Sequence, residues 1–157
     1  MKIESYKLFE NGTTEEIVKI VEDELELRNE SPFWAQKVVP FSRAILSVLI
    51  PLRDSRMLFS PEGKMVEKLT PELFLEFNDF VSLKALAFTI QKSNIENRLV
   101  RTKLDNTICE NYKEIDLSYL GDYLSACGVN LDKESLDFPI ATYNLHQGVS
   151  NVIKSLL

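Results

Sequence analysis

The residues of this chain that could do chemistry are one histidine and several carboxylates. His146 is the single histidine, in the run Asn144 to Gly148, and its imidazole could act as a general base near neutral pH. No serine or cysteine accompanies it in a nucleophile motif, so the sequence favours a partly buried structural histidine. Glu22 and Glu26 lie one helical turn apart, but on an acidic face that is predicted to be solvated, whereas a pair of catalytic carboxyl groups needs burial. We therefore predict no catalytic residues and no enzymatic activity for this chain.

The two cysteines, Cys109 and Cys127, have no Cys-x-x-Cys spacing, and one histidine is too few for a common zinc site. We expect two free thiols in a reducing compartment, because a chain with a regular apolar core has little need of a disulfide. The sequence also holds no Gly-x-x-x-x-Gly-Lys-Ser/Thr loop, no Gly-x-Gly-x-x-Gly and no Gly-x-Ser-x-Gly turn. These patterns predict neither a metal site nor a bound cofactor.

The charge of the chain is unevenly distributed. The net charge is −6, yet the middle of the chain, residues 31–103, holds eleven basic and seven acidic residues. Lys92, Arg98, Arg101 and Lys103 form its densest basic segment, and they are the candidate partner-binding residues. One interpretation is a solvated helix face, and the other is a face that meets an acidic protein or single-stranded DNA. Because the whole chain is acidic, with a pI near 4.9, non-specific DNA binding should be weak.

Composition predicts an all-α fold. Only five glycines are present among 157 residues, and the six prolines fall mostly where helices would begin or bend. We expect one helical domain over 1–157, a compact bundle of about six to seven helices, with a short extended lead-in at 1–10. The apolar run 38–52 is interrupted by Pro40, Arg43 and Pro51 and is shorter than the roughly 20 residues that span a bilayer. It predicts a core helix, and no membrane contact by this domain.

Helix starts can be located from capping residues. Thr13 to Glu16 is a capping box that predicts a first helix over about 14–27. Ser31 followed by Pro32 predicts the start of a second, apolar helix, with Phe33 and Trp34 expected in the core. In that helix Pro40 should cause a kink or short break near Val39, and Pro51 should end it or bend its final turn.

The second half of the chain carries similar signals. A turn is expected at 60–63, a capped short helix from Thr70, a break at 78–79 and a further cap at 93–94. The segment 105–115 has the least pattern and is predicted to be a loop or frayed helix. A capped helix is expected from Asp116, with Gly128 just past its end, and Pro139 should open the last helix.

Several short motifs resemble the helical domain inserted into the motor of type IV secretion coupling proteins, the TraD/TraG-like and DotL-like ATPases. They are Leu8 to Ile17, the apolar helix with Trp34, its closing Leu52 to Asp54, the capped Thr70 to Phe74, and Tyr143 to Gly148. Pro40 departs from the straighter helix expected in that family. The resemblance touches both ends and the middle of the chain.

The resemblance implies a parent protein anchored in the bacterial inner membrane, a hexameric ATPase that hands DNA–relaxase complexes or protein effectors to a secretion channel. This chain would be its cytoplasmic helical domain, excised from the larger ATPase. It would contact protein cargo, the relaxosome or accessory proteins, beside the parent motor domain, with at most weak contact to single-stranded DNA. The alternative is a free-standing helical adaptor or regulator of plasmid or phage origin that binds one partner in a helical groove.

Overall fold

The computed structural model describes residues 3–103, 114–129 and 140–156, with side chains described for 6–96, 114–129 and 141–156. These residues form seven helices, which confirms the predicted all-α class and the predicted number of helices. The helices are α1 (Ile3–Asn11), α2 (Thr14–Leu27), α3 (Pro32–Asp54), α4 (Pro71–Glu76), α5 (Phe80–Lys103), α6 (Ser118–Ala126) and α7 (Ile140–Leu156).

The predicted helix starts of the first half are confirmed. Thr13 accepts the Glu16 N–H and Glu16 reaches back to the Thr13 N–H, so α2 begins with a complete capping box. Ser31 accepts the N–H of Trp34 at the start of α3, and Thr70 accepts the N–H of Leu73 at the start of α4. Local sequence therefore fixes where these three helices begin.

Helix α3 is the centre of the bundle and packs against α2, α6 and α7. Ten of its 23 residues are buried, among them Leu46 and Leu49, whose side chains are fully enclosed. The prediction that Phe33 belongs to the core is wrong, because its ring is 52% exposed at the solvent-facing start of the helix. Trp34 packs against the core and is half-buried.

Both prolines of α3 lie inside one continuous helix. One alternative at Val39, a short break, is absent, and the helix continues past Pro51 to Asp54, so Pro51 does not end it. A kink near Val39 and a bend in the final turn at Pro51 stay predictions. A proline removes one backbone hydrogen bond, but burial along both flanking turns outweighs that local cost. Among the described residues α3 is also the one helix long and apolar enough to cross a bilayer, and 56% of its most apolar window is buried inside the fold.

The extended lead-in predicted for 1–10 is wrong, because Ile3–Asn11 form a helix. A nine-residue helix is marginal alone, so contacts from other helices must hold it. Arg53 of α3 donates hydrogen bonds to the carbonyl oxygens of Phe9 (2.9 Å) and Gly12 (2.7 Å). These bonds cap the C-terminal end of α1. The Phe9 ring packs on Phe74 of α4 at 5.6 Å, and Tyr6 hydrogen-bonds Glu72.

The link between α3 and α4 contains the predicted turn. The Gly63 N–H donates to the Ser60 carbonyl at 2.8 Å, and Gly63 has φ +83°, a conformation that favours glycine. The predicted break at 78–79 is also confirmed, since α4 ends before it and α5 begins at Phe80. Asp79 accepts the N–H of Ser82 and so caps α5.

The cap predicted at 93–94 is wrong, because α5 runs unbroken through it. Asn94 is buried, and its amide both donates to the Ile115 carbonyl (2.9 Å) and accepts the Ile115 N–H (3.2 Å). An asparagine side chain satisfies a backbone group wherever the fold brings one. Here that group lies in the segment that leads into α6.

Helix α6 begins two residues later than predicted, although Asp116 does accept the N–H of Ser118 (2.9 Å). Its predicted end is confirmed, since Gly128 has φ +81° and the Val129 N–H bonds the Leu124 carbonyl at 2.9 Å. The expectations for Cys109, Pro139 and most of 105–115 lie outside the described residues.

Candidate functional site

His146 of α7 is the buried centre of a polar network that reaches α6 and the link between α4 and α5. It is 1% exposed, and its Nε2 lies 2.5 Å from the backbone carbonyl oxygen of Asn78. A carbonyl only accepts, so Nε2 carries the proton and Nδ1 is the bare nitrogen. Nδ1, 2.7 Å from the Tyr123 hydroxyl, accepts its proton in a hydrogen bond. The geometry therefore selects one neutral tautomer.

The imidazole is enclosed by aromatic rings. The ring centres of Phe41 and Phe80 lie 5.1 and 5.0 Å from it, and that of Tyr123 lies 5.9 Å away, all inclined or edge-on. Burial lowers the pKa of His146 below its ordinary value, because this environment disfavours the charged imidazolium. Both ring nitrogens are engaged and the ring is neutral, so His146 supports packing of the helices around it. The predicted structural role fits this geometry, with deeper burial than expected.

Tyr123 links the histidine to Cys127, the one cysteine among the described residues. The Cys127 thiol and the Tyr123 hydroxyl influence each other's ionisation, and burial raises the pKa of both groups. The positive charge of Lys37 opposes this shift at Cys127 without outweighing the burial. A thiol with a raised pKa stays protonated at neutral pH and is a poor nucleophile. The hydrogen bonds that join Asn78, His146 and Tyr123 are thus structural, and Cys127 lies beside them as an unreactive thiol.

A cavity of about 430 Å³ lies over this network, between α3, α6 and α7. Small-molecule sites in proteins usually have volumes of roughly 300–1,000 Å³, so this cavity is large enough for a ligand. Apolar groups make up much of its wall, including Pro40, Ala126, Leu145 and Val149. Leu145 is 38% exposed, so the apolar wall reaches solvent. We call this space the α3–α6–α7 cavity.

Charged groups surround the cavity unevenly. Arg43 lines it but is held by Glu15 of α2 through two bonds of 2.9 and 3.1 Å. That contact lowers the pKa of the Glu15 carboxyl. Lys37 lines the cavity on the α3 wall, with its ammonium 5.8 Å from the ring centre of Phe33. Asp122 lines it on the α6 wall. The cavity therefore offers one compensated cation, one further cation and one carboxylate.

The predicted partner-binding residues lie elsewhere, on the second half of α5. Lys92 is exposed, and the side chains of Arg98, Arg101 and Lys103 lie outside the described part. On one continuous helix Arg98 and Arg101 are three positions apart and share a side. Lys92 and Lys103 are about three turns apart and share a different side. The role of these four residues stays a prediction.

Sequence reasoning missed two polar features of the core. Lys84 of α5 is 1% exposed, and its ammonium lies 5.8 Å from the ring centre of Phe88. Phe80 and Ala87 are buried on the same helix face as Lys84. This helical spacing is the sequence signal that could have predicted the burial of Lys84. The Asn78 amide is buried, and neither polar atom has a partner among the described residues. Across that part of the chain no three His, Cys, Asp or Glu residues are grouped as metal ligands.

Comparisons of the chain with protein-family models, with curated proteins and with solved structures gave no match.

Proposed function

We propose that this chain is the helical recognition domain of a type IV secretion coupling ATPase, which contacts protein cargo or a relaxosome. The observation that supports the proposal is spatial. The motifs that carry the resemblance are far apart in sequence, yet the fold brings them into direct contact in pairs. If this chain had the fold of the coupling-protein domain, the motifs that it shares with that domain would be expected to contact one another in this way.

The first pair joins the Leu8–Ile17 motif to Leu52–Asp54. Arg53, only 8% exposed, donates to the Phe9 and Gly12 carbonyls across more than 40 residues of chain. The Asp54 carboxylate, 2.9 Å from the same guanidinium, balances its charge. The Leu-Arg-Asp motif therefore attaches α1 to the end of α3.

The second pair joins Trp34 to the Tyr143–Gly148 motif. A methyl group placed on Gly148 would lie 2.3 Å from the Trp34 ring, so this ring occupies the space that glycine leaves. The same motif holds His146, whose bonds tie α7 to Asn78 and to α6. In this view the glycine and the tryptophan are complementary halves of one contact between α3 and α7.

A binding role suits this chemistry better than a catalytic one. His146 is neutral with both nitrogens bonded, and the Cys127 thiol is protonated. The sequence also lacks the phosphate-binding loops that ATP hydrolysis needs. In the proposed parent, nucleotide chemistry belongs to the motor, and this domain in the cytoplasm selects what is delivered.

The partner surface in this proposal is the side of α5 that holds Arg98 and Arg101, and the partner is an acidic cargo protein. Changing both residues to glutamate should abolish cargo delivery by the parent, since charge complementarity governs such encounters. The circular-dichroism spectrum and melting temperature should stay unchanged. The matched control is Lys64→Glu with Lys154→Glu, two exposed cations elsewhere. Normal delivery by the folded α5 variant would contradict this surface, and retained protein binding with lost DNA binding would identify single-stranded DNA as its partner.

The reading frame around this chain offers an independent test. The proposal expects a Gly-x-x-x-x-Gly-Lys-Ser/Thr loop encoded upstream of Met1 and an acidic, metal-binding strand downstream of Leu157. A frame that encodes neither would contradict the coupling-protein assignment and favour the free-standing adaptor. Sequencing the frame and purifying the encoded product distinguishes the two.

A further inference from the structure

The α3–α6–α7 cavity has features that the proposed recognition role does not use. Its apolar wall comes from three different helices, through Pro40 of α3, Ala126 of α6 and Val149 of α7. Tyr119 and Tyr123 also line it, and Tyr119 is 54% exposed. Two phenol rings with a proline ring make a wall suited to a flat aromatic group, which packs well edge-on or offset against such rings.

The charged residues of the cavity determine whether an anionic or a cationic ligand binds more tightly. Lys37 forms no ion pair with a carboxylate of the described residues, and its ammonium lies 5.8 Å from the centre of the Phe33 ring. Lys37 and Cys127 both line the cavity, and the positive charge of Lys37 acts to lower the pKa of the Cys127 thiol, against the larger effect of burial. Arg43 is already compensated by Glu15. A ligand anion can therefore gain a charge-assisted hydrogen bond from Lys37.

Asp122 opposes an anion from the other wall. It lies on α6, whereas Lys37 lies on α3, so the two charges belong to different walls of the cavity. An acid bound with its carboxylate toward α3 keeps away from Asp122 and places its ring between the tyrosines and Pro40. A bound amine would have to reverse this orientation and would leave Lys37 without an anion.

We propose that the α3–α6–α7 cavity binds a small aromatic carboxylic acid, with the carboxylate on Lys37 and the ring against Tyr119, Tyr123 and Pro40. The volume of about 430 Å³ lies within the usual range for small-molecule sites. Because the site joins three helices, occupancy stabilises the folded chain by mass action. This inference stands apart from the protein partner proposed for α5.

Three probes that differ only in their polar end test the charge selection: 3-phenylpropanoate, 3-phenylpropan-1-ol and 3-phenylpropylamine. Titration calorimetry and the melting temperature are measured for each. We expect the acid to bind most tightly and to raise the melting temperature, the alcohol to bind about fivefold more weakly, and the amine most weakly. Equal affinity for the acid and the alcohol, or tighter binding of the amine, would overturn the proposal.

Variants locate the site. Lys37→Met should remove the preference for acid over alcohol and leave alcohol binding unchanged, whereas the control Lys64→Met should change neither affinity. Asp122→Asn should tighten acid binding, because a repelling charge is removed. Ala126→Phe should fill the cavity and weaken both the acid and the alcohol. A folded Lys37→Met protein that keeps the preference would refute the site, even if Ala126→Phe failed to fold.

Discussion

Gly148 is the residue at which local and tertiary effects predict opposite outcomes. In the middle of α7 a glycine is unfavourable, and replacing it by alanine should stabilise an isolated helix by about 1 kcal/mol. In the fold, however, the new methyl group would lie 2.3 and 2.8 Å from two carbon atoms of the Trp34 ring. Contacts that short force the ring or the helix to move.

The size of the effect follows from these two terms. Overpacking a tight contact costs typically about 1–3 kcal/mol, and the gain in helix propensity offsets about 1 kcal/mol of it. We therefore expect Gly148→Ala to destabilise the parent by up to about 2 kcal/mol. When Trp34 is replaced by alanine, the clash is gone and only the propensity term remains. In that background the same change should stabilise the protein by about 1 kcal/mol.

The assay is a double-mutant cycle in urea, followed by far-ultraviolet circular dichroism. The parent, Gly148→Ala, Trp34→Ala and the double variant give four free energies of unfolding. The expected coupling energy is about 1–3 kcal/mol, with a change of sign for Gly148→Ala between the two backgrounds. If Gly148→Ala stabilised both backgrounds equally, Trp34 would not occupy the space beside Gly148, and the α3–α7 contact would be wrong.

Four further outcomes follow from the structure. Leu49→Ala should cost about 2–5 kcal/mol in urea melts, because its site is fully enclosed, whereas Leu27→Ala, 72% exposed in the parent, should cost little. Arg53→Ala should speed amide hydrogen exchange in α1 before the rest of the fold, and uniform exchange would contradict its capping role. Burial lowers the pKa of His146 in the folded state, so its contribution to stability is complete above the unfolded value of about 6.5. That contribution is lost as pH falls from there through the folded pKa, so His146→Gln should weaken the pH dependence of the free energy of unfolding, measured by urea melts below about pH 6.5. Chelators and reductants should leave the melting temperature unchanged, and a drop of several degrees with either would reveal a structural metal or disulfide.

Local sequence was sufficient where a helix boundary depends on neighbouring residues. The Thr13 capping box, the Thr70 cap and the left-handed Gly128 each act within a few residues, and the structure has all three. Fold class followed in the same way, because helical spacing of apolar residues is itself a local property. A strongly apolar α3 could be placed at the centre on the same grounds.

Sequence misjudged the elements whose conformation depends on distant contacts. The α1 segment is helical because Arg53, more than 40 residues away, donates hydrogen bonds to the carbonyl oxygens of Phe9 and Gly12 at its end. Asn94 looked like a helix cap, yet its amide bonds a backbone segment 21 residues further along. Phe33 had the composition of a core residue, but its position at the first turn of α3 leaves it exposed.

The candidate site depends on tertiary structure to the greatest extent. The sequence alone shows that His146 is the single histidine and that the chain contains no phosphate-binding loop motif. Only the fold brought Asn78 and Tyr123, 68 and 23 residues from His146, to its two nitrogens and so set its tautomer. Only the fold opened a cavity between three helices, beside Lys37. The physical reason is that helical periodicity is encoded in adjacent turns, whereas burial, pKa and cavity shape arise from groups that become neighbours when the chain folds.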